Sequence, residues 1–259
     1  MEFQNKTIVV TGAAGIFGRW ITEAFWREGA RVVLADARVD AAEAVVAENC
    51  IPPERAMVRQ VELTDEASIL ALAAAVEKSW GAPDVVVNNA GIYPAGGLLQ
   101  IDTLEFDRIF SINVRAPYAV TKAFAKQMIS AGKKGSIIMI SSGAARALRK
   151  GTVPYCASKT TLERIAKGFA IELAEQGIRV NVVEPGFAPG SVVSPLSEDY
   201  VEKMKARIPL GRTSGPDDAA NAVLYLASER ASFVTGAVIS VDGGNSLGVF
   251  ERGPVAGAR

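Results

Sequence analysis

Three features of the sequence predict a doubly wound α/β fold, in which a mostly parallel sheet of seven strands carries helices on both faces. Short β-branched segments alternate with amphipathic helical segments along most of the chain. A glycine-rich turn joins the first strand to the first helix, and polar or glycine residues follow six of the strands. Alternating strands and helices favour a parallel sheet, because a crossover helix must carry the chain back between parallel strands.

Length and composition predict one soluble unit. The 259 residues suffice for a single α/β domain, which we expect to span 1–259 with a loose tail at 249–259. Hydrophobic residues make up 49% and charged residues 22%, as in ordinary globular proteins. The formal net charge is zero, which argues against a nucleic-acid partner.

The residue types that are rare in this chain narrow the chemistry further. Histidine is absent, which removes the commonest metal ligand and the commonest general base, so we expect no metal site. Cys50 and Cys156 form neither a metal-binding spacing nor a disulfide framework, which favours a reducing, cytoplasmic location. We expect no signal peptide, and no membrane span because no apolar run reaches about 18 residues.

The first strand and its turn predict a dinucleotide site. A strand at Thr7–Thr11 leads into glycines at 12, 15 and 18, then a helix to Glu28 and a second strand at 31–35. Such a turn lets backbone approach a pyrophosphate, whose charge the helix N-terminus stabilises. The predicted contacts in the turn are Gly12, Gly15, Ile16, Phe17 and Gly18.

Asp36 ends the second strand, 18 residues after Gly18. An acid here accepts hydrogen bonds from a ribose diol and repels a 2′-phosphate, so it favours NAD over NADP. Arg38 keeps NADP open as the weaker alternative, because an arginine can pair with a 2′-phosphate.

The middle of the chain adds two more strands of the predicted sheet. A helix at 40–49 precedes a strand at 56–61 that ends at Glu62 and Leu63, after which Thr64 is suited to cap a helix. The apolar strand at 84–87 ends in a run of Asn88, Asn89, Ala90 and Gly91, as expected for a strand buried on both faces.

A helix that begins near the capping box at 102–105 carries Asn113 and then Pro117. Proline removes the hydrogen bond to the carbonyl four residues earlier, which belongs to Asn113. We therefore expect a kink here, with the Asn113 carbonyl available to another group.

The fifth strand, at 136–141, leads through Ser142 into a helix that contains Tyr155 and Lys159. These two residues are four apart and share one face of the helix. That face continues as an apolar row, so the lysine requires a partner or a function.

The last third of the chain completes the sheet. A strand at 179–183 ends at Glu184, Pro185 and Gly186, and a loop at 187–195 follows. Helices at 198–207 and 217–228 precede a last strand at 237–241. Ligands of such folds bind at the carboxyl ends of the strands, where the polar clusters of this sequence fall.

With these pieces in order, the chain resembles the compact branch of the short-chain dehydrogenases/reductases. The matching pieces are the glycine turn at 11–18, the run at 88–91, Asn113, Ser142, the Tyr155 to Lys159 motif, Pro185 with Gly186, and the segments at 208–212 and 241–244. They span about residues 5–247, and the ordered set is far more specific than any single motif.

The resemblance implies an NAD(P)-dependent oxidoreductase that interconverts a secondary alcohol and a ketone by hydride transfer. Tyr155 would be the general acid or base, with a pKa lowered from about 10 by the charge of Lys159. Ser142, or alternatively Ser141, would hold the substrate oxygen, and the main-chain carbonyl of Asn113 would hold a water that leads to Lys159. Lys159 would also bind the nicotinamide ribose.

The remaining cofactor contacts also come from the resemblance, with departures from the usual pattern. They are Glu62, Leu63, Asn89, Ala90, Gly91, Pro185, Gly186, Phe187 and Ser191. The compact branch usually has its second glycine four residues after the first, where this chain has Ile16, and Gly15 stands one residue earlier. Glu62 stands where an aspartate is usual. Gly190 occupies the place of the usual threonine, and Ser191 follows it. Glu184 is an unusual charge before Pro185 and has no explanation in the sequence.

Three questions stay open at this point, about the activity, the charge of the substrate and the oligomeric state. A 3-oxoacyl carrier reductase that uses NADPH and a catalytically silent dinucleotide-binding regulator are alternatives to the alcohol dehydrogenase. Arg146, Arg149 and Lys150 could steer an anionic substrate, although a solvated loop face is favoured. The family resemblance implies a homotetramer, with a homodimer as the alternative, paired through the kinked helix and the Tyr155 helix.

Overall fold

The computed structural model describes residues 1–190 and 196–250. Seven strands form one sheet: β1 (Thr7–Thr11), β2 (Arg31–Asp36), β3 (Ala56–Gln60), β4 (Val85–Asn88), β5 (Ser136–Ile140), β6 (Arg179–Pro185) and β7 (Val238–Val241). Their order is β3-β2-β1-β4-β5-β6-β7, and each pair is parallel. The predicted doubly wound fold is confirmed, with a fully rather than mostly parallel sheet.

The order in which successive strands are added to the sheet reverses between β1 and β4. Strands β1 to β3 extend to one side of this point and β4 to β7 to the other. Ligands of doubly wound folds bind in the crevice at this switch point, beyond the carboxyl ends of the strands. The glycine turn after β1 and the polar run after β4 therefore lie together at the predicted edge.

Helices cover both faces of the sheet. They are α1 (Ile16–Arg27), α2 (Val39–Glu48), α3 (Glu66–Trp80), α4 (Thr103–Phe110), α5 (Ala116–Ser130), α6 (Val153–Glu172), α7 (Glu198–Ala206) and α8 (Pro216–Ala227). One core lies between the sheet and α3, α5 and α6, and includes Phe124, Met128 and Leu162. The other lies beneath α1, α2 and α8, and includes Phe25, Val45 and Leu226.

The kink predicted at Pro117 takes the form of a π-helical turn at Ser111–Arg115, between α4 and α5. The amide of Ala116 donates to the carbonyl of Ser111, five residues earlier. Pro117 has no amide hydrogen, so the α-helical bond to Asn113 is absent by chemistry. Single π turns of this kind occur frequently at functional sites.

One helix start differs from the sequence prediction. Asp65, not Thr64, caps α3, and its carboxylate accepts from the amide of Ala67. Thr64 instead donates through its amide and its hydroxyl to the carboxylate of Glu62. Within the described residues, no helix is both long and apolar enough to cross a membrane.

Candidate active site

The glycine turn after β1 is shaped by close contacts that leave no room for side chains. Gly12 has a φ of 63°, and a Cβ on it would lie 2.8 Å from the Cα of Ala90. A Cβ on Gly18 would lie 2.1 Å from the carbonyl oxygen of Gly12. The first glycine therefore permits the turn and the third permits close packing of α1 against it.

The N-terminus of α1 fits a pyrophosphate. Gly15 is the N-cap, no side chain caps the helix, and the first turn contains no acidic residue. The first amides of a helix lack intrahelical partners and carry partial positive charge. Ile16 and Phe17, the first two helical residues, place such amides beside the turn, as the dinucleotide prediction requires.

Asp36 lies at the carboxyl end of β2 and is only 7% exposed. One carboxylate oxygen accepts from the amide of Ala14 and the other from the amide of Arg38, at 2.9 and 3.0 Å. The guanidinium Nε of Arg38 lies 3.7 Å from the same carboxylate. Asp36 thus fixes the glycine turn and presents a fixed negative charge at the position predicted for the ribose.

A cleft of about 280 Å³ opens next to Asp36, where the adenine is expected. Its lining is formed by Ala37, Gln60, Val61, Glu62, Asp65 and Ser68. Glu62 does line the cleft, but its hydrogen bonds from Thr64 hold its pKa below the usual range and turn the carboxylate toward its own loop. Leu63 packs against the core on the α3 side.

Asn89 connects the end of β4 to the glycine turn. Its side-chain amide donates to the carbonyls of Thr11 and Gly12, and its backbone amide donates to the Thr11 hydroxyl oxygen. Ala90 also donates to that hydroxyl. These predicted cofactor residues therefore hold the turn in place through backbone contacts.

Gly91, Asn113 and Lys159 meet beyond the end of β4. A Cβ on Gly91 would lie 3.3 Å from both the Nζ of Lys159 and the Oδ1 of Asn113. Asn113 is fully buried, and its side chain exchanges two hydrogen bonds with the backbone of Ile92 and donates to Ser158. The sequence predicted a free main-chain carbonyl at Asn113 but not these side-chain hydrogen bonds.

Lys159 is 4% exposed and donates to the carbonyl of Ile140 at 2.9 Å. Burial lowers the pKa of Lys159 to about 8, although the nearby Glu163 carboxylate acts in the opposite direction. Its Nζ lies 5.9 Å from the centre of the Tyr155 ring. A lysine that is placed here for structure alone would be costly, because the charged form is desolvated.

Tyr155 is half-buried beside Lys159, with its ring edge-on to Tyr93. Burial raises the pKa of Tyr155, while its hydrogen bond with Ser142 and the charge of Arg149 act to lower that pKa. The predicted net lowering is therefore wrong for the site as it stands in the structure. Desolvation outweighs the nearby charges, and the lysine ammonium is directed at Ile140 rather than at the phenol.

The structure separates the two candidate serines after β5. Ser141 is buried, and its hydroxyl donates to Glu163 at 2.7 Å. Ser142 is half-buried and lies within hydrogen-bonding reach of Tyr155. The Ser142 oxygen also accepts from the amide of Ala144. Ser142 is thus the serine that faces the phenol.

The end of β6 forms the last wall of the site. The amide of Gly186 donates to the carbonyl of Val241, and a Cβ on Gly186 would lie 2.8 Å from the Cα of Asp242. Pro185 is buried and Phe187 packs edge-on against Tyr200. Ser191, the last predicted cofactor contact, lies outside the described residues.

Two charged residues whose pairing the sequence did not predict lie behind this wall. Glu184 is fully buried, and one of its oxygens lies 2.7 Å from a guanidinium nitrogen of Arg146. The same nitrogen donates to the hydroxyls of Ser240 and Ser246. Arg146 therefore pairs with a buried carboxylate although its own side chain is 41% exposed, and Arg149 and Lys150 in the same stretch are exposed as well.

Comparison with known proteins places the chain among dehydrogenases. Residues 12–246 match a family model described as "Enoyl-(Acyl carrier protein) reductase", which covers most of the sheet and all of the candidate site. The chain belongs to the short-chain dehydrogenase/reductase family. It is thus an oxidoreductase that acts on a CH–OH group with a nicotinamide dinucleotide.

Relatives within the short-chain dehydrogenase/reductase family differ in substrate. The chain is 32% identical to the sorbitol dehydrogenase of Cereibacter sphaeroides, over 95% of this chain and 99% of that protein. It is 34% identical to the 3-oxoacyl-[acyl-carrier-protein] reductase of Thermotoga maritima, over 94% and 99%. It is 35% identical to a 3alpha-hydroxysteroid dehydrogenase of Mediterraneibacter gnavus, over 94% and 98%.

Solved structures of the family show the same architecture. A short-chain type dehydrogenase/reductase from Mycobacterium marinum superposes with a TM-score of 0.87 at 30% identity, covering 94% of this chain and 96% of that one. The crystal structure of gox2181 gives 0.88 at 26% identity, covering 95% and 98%. The predicted family and fold are both confirmed.

Proposed function

We propose that the chain is an NAD-preferring dehydrogenase of secondary alcohols, with Tyr155 as its general acid and base. The observation that carries this proposal is the contact of Tyr155 with Ser142, one helical turn from the buried Lys159. All three lie at the edge of the sheet that also holds the glycine turn. Catalytic roles for Asn113, Ser142, Tyr155 and Lys159, and one working domain for the whole chain, are part of the proposal.

Each of the four catalytic side chains has a separate role in the proposed reaction. The nicotinamide, when bound, supplies the acceptor or donor of the hydride. Ser142 hydrogen-bonds to the substrate oxygen, and Tyr155 removes the hydroxyl proton during oxidation or returns it during reduction. Lys159 stabilises the phenolate and holds the ribose, while Asn113 fixes the chain at Ile92 and Ser158 around the lysine.

The raised pKa of Tyr155 predicts how the rate depends on pH. A phenol that keeps its proton at neutral pH is ready to act as an acid in reduction and is a poor base in oxidation. We therefore expect kcat/KM for alcohol oxidation to rise as the pH is raised above neutrality, and kcat/KM for ketone reduction to fall. Paired pH profiles of the two directions measure this.

The preference for NAD rests on Asp36. Its buried carboxylate is held by two amides at the ribose position and leaves little space or favourable charge for a 2′-phosphate. Arg38 is exposed and approaches only the Asp36 carboxylate, so it does not form a phosphate pocket by itself.

A 3-oxoacyl carrier reductase that uses NADPH is the second candidate. The description of the family model and the Thermotoga maritima relative favour it. Asp36 argues against the phosphorylated cofactor. A catalytically silent regulator is the third candidate, and the intact Ser142, Tyr155 and Lys159 set argues against it.

A panel of sugar alcohols, cyclic alcohols, hydroxysteroids and short 3-oxoacyl thioesters, each tested with NAD(H) and NADP(H), distinguishes these candidates. The measurement is the near-ultraviolet absorbance of the reduced cofactor, with Tyr155→Phe as control. We expect turnover of a secondary alcohol with NAD and none with the variant. Reduction of thioesters with NADPH alone would favour the carrier reductase, and inert wild type that still binds NAD would favour the regulator.

We also propose a homotetramer in the cytoplasm. A surface cleft of about 450 Å³ lies where the π turn meets α5 and α6, and Phe110, Val114, Tyr118 and Ile165 line it. Leu104 lies on α4, which precedes the π turn in the chain, and is 78% exposed. Such an apolar face suits a self-complementary interface. Light scattering that gives the mass of a monomer would contradict this.

A further inference from the structure

The carboxyl ends of β5 and β6 direct two polar side chains toward α6. Met139 and Val182 pack in the core on the α6 side, and side chains alternate along a strand. Ser141 and Glu184, two residues further along their strands, therefore point to the same side. The register supports this, since the amide of Ser141 donates to the carbonyl of Val183.

Glu163 on α6 meets these two residues. Ser141 donates its hydroxyl hydrogen bond to Oε1 of Glu163 at 2.7 Å, and the carboxyl groups of Glu163 and Glu184 lie within hydrogen-bonding reach of each other. Arg146 approaches Glu184 to 2.7 Å from the other side. Among the residues that the structure describes, no donor makes a well-directed hydrogen bond to either oxygen of the fully buried Glu184.

Two ionised carboxylates in this place would repel each other in a poorly solvated interior. Burial raises the pKa of Glu163 to about 7, and the neighbouring Glu184 carboxylate acts in the same direction. Opposite effects come from the Ser141 hydrogen bond and from Lys167 on the same helix. The other charged groups that face the pair are Lys159 from α6 and Arg146 from the segment after β5.

We propose that Glu163 and Glu184 share a single proton and together position the catalytic half of the site. The shared proton supplies the hydrogen bond that the buried oxygens of Glu184 otherwise lack. The inference rests on the roles proposed above for Ser142 and Lys159. It assigns a positioning role to two residues that need not touch the substrate or the cofactor.

The pair joins four segments that carry the site. Through Ser141 it holds the backbone next to Ser142, and through Glu184 it holds the strand end before Pro185. Arg146 fastens the stretch that leads to Tyr155. Glu163 is one helical turn from Lys159, and its carboxylate raises the pKa of that lysine. The state of the shared proton thus affects the charge beside Tyr155.

Thermal unfolding across pH tests the shared proton without any substrate. Because the pKa of Glu163 is raised in the folded protein, the folded state binds more protons than the unfolded chain between about pH 4.5 and about pH 7. The free energy of unfolding therefore falls as the pH rises through this window. Glu163→Gln keeps an acceptor for the Ser141 hydroxyl. As the pH rises through this window, we expect the Tm of this variant to fall by about 5 °C less than that of wild type. Glu172→Gln, an exposed change on the same helix, is the matched control and keeps the wild-type slope.

Two further measurements keep the proposal open to refutation if one variant fails to fold. Glu184→Gln removes the neighbouring carboxylate but leaves the effect of burial on Glu163, so it is expected to lose a smaller part of the slope than Glu163→Gln. Infrared spectroscopy of wild type at about pH 6 is expected to show one protonated carboxyl band that Glu163→Gln lacks. A wild-type slope in a folded variant, or no such band in wild type, would overturn the shared proton.

Activity tests the positioning role separately. Without the Glu163 carboxylate the pKa of Lys159 is lower, so the lysine loses its charge at lower pH. The fall of kcat/KM for ketone reduction by Glu163→Gln is therefore expected to begin at lower pH than in wild type and in Glu172→Gln. If Glu163→Gln kept the wild-type pH profile of kcat/KM but changed the pH dependence of Tm, the pair would have a structural role only. Inert wild-type protein with the expected unfolding slope would refute the proposed function and leave the shared proton standing.

Discussion

The two halves of the candidate site are built in different ways. Around β1 and β2, glycines and backbone amides form the walls, and Asp36 is the main charge. Around β5 and β6, charged groups and hydroxyls form them, with Lys159 and Glu184 buried and Glu163 half-buried beside them. The first half depends on the absence of side chains, the second on which buried groups carry protons.

This difference teaches how each half can fail. A backbone cradle fails when any added atom blocks it, and the loss appears as stability and cofactor affinity together. A cluster of buried charges fails when one partner is removed, and the loss appears in rates and in pH dependence. Substitutions chosen from the two halves should therefore give distinguishable defects.

Lys159→Met is expected to have the largest effect, because it removes the cation beside Tyr155. We expect kcat/KM to fall by about 10³-fold, which equals about 4 kcal/mol of transition-state stabilisation. The folded protein should not lose stability at neutral pH, because the lysine is buried with a pKa of about 8 and its charged form is desolvated. Steady-state kinetics with thermal unfolding measures both.

The pH dependence of that variant provides its control. The lowered pKa of Lys159 means that the unfolded chain binds more protons between about pH 8 and about pH 10.5, so wild-type stability gains a contribution as the pH rises through this window. Lys159→Met should lack this contribution. A variant that is less stable than wild type at neutral pH would show that the lysine has a structural role.

Gly18→Ala tests the backbone half. The new Cβ would lie 2.1 Å from the Gly12 carbonyl oxygen, so we expect a loss of about 3 kcal/mol in the free energy of unfolding together with weaker NAD binding. Denaturant unfolding and cofactor titration measure the two effects.

Gly168→Ala on α6 is the matched control for that substitution. A Cβ there meets no atom within 4 Å, and alanine favours a helix, so we expect a gain of about 0.5–1 kcal/mol. Equal losses from the two alanines would contradict the close-packed cradle.

Arg146→Ala is expected to cost about 2 kcal/mol of stability, because it leaves the buried Glu184 carboxyl without its cation. The exposed part of the arginine keeps the cost below that of a fully buried pair. Arg149→Ala, in the same stretch but exposed, should change stability by less than about 0.5 kcal/mol. If Arg146→Ala instead raised KM for anionic substrates only, the steering role would be supported over the structural one.

Asp36→Ala is expected to have the smallest effect, about a tenfold fall in the ratio of kcat/KM for NAD to that for NADP. The change removes the acceptor for the ribose diol and the repulsion of a 2′-phosphate. Asp40→Ala, an exposed acid at the start of α2, should leave the ratio unchanged. An unchanged ratio in Asp36→Ala would place the cofactor preference elsewhere.

The sequence predicted the backbone half better than the charged half, for physical reasons. The positions of Gly12, Gly18 and Asp36 follow from local chain geometry, which a strand, a turn and a helix impose wherever they occur. Ser141 and Glu163 lie 22 residues apart and meet only because β5 packs beneath α6. No local pattern encodes that meeting.

The pKa of Tyr155 shows the same limit. Its position four residues before Lys159 correctly predicted proximity, but the direction of the shift depends on burial, which the sequence does not specify. The helix break near Asn113 was predicted from Pro117, whereas its π-helical form and the Asn113 side-chain contacts required the packing of three elements. The role of Glu184 became visible only with Arg146 beside it.

The most direct test of the proposed site measures NAD affinity and hydride transfer on Tyr155→Phe. The tyrosine hydroxyl belongs to the charged half, so the variant should bind NAD within about threefold of wild type and lose about 10³-fold in kcat/KM with the best secondary alcohol. Turnover equal to that of wild type in a variant that binds NAD normally would contradict Tyr155 as the acid and base.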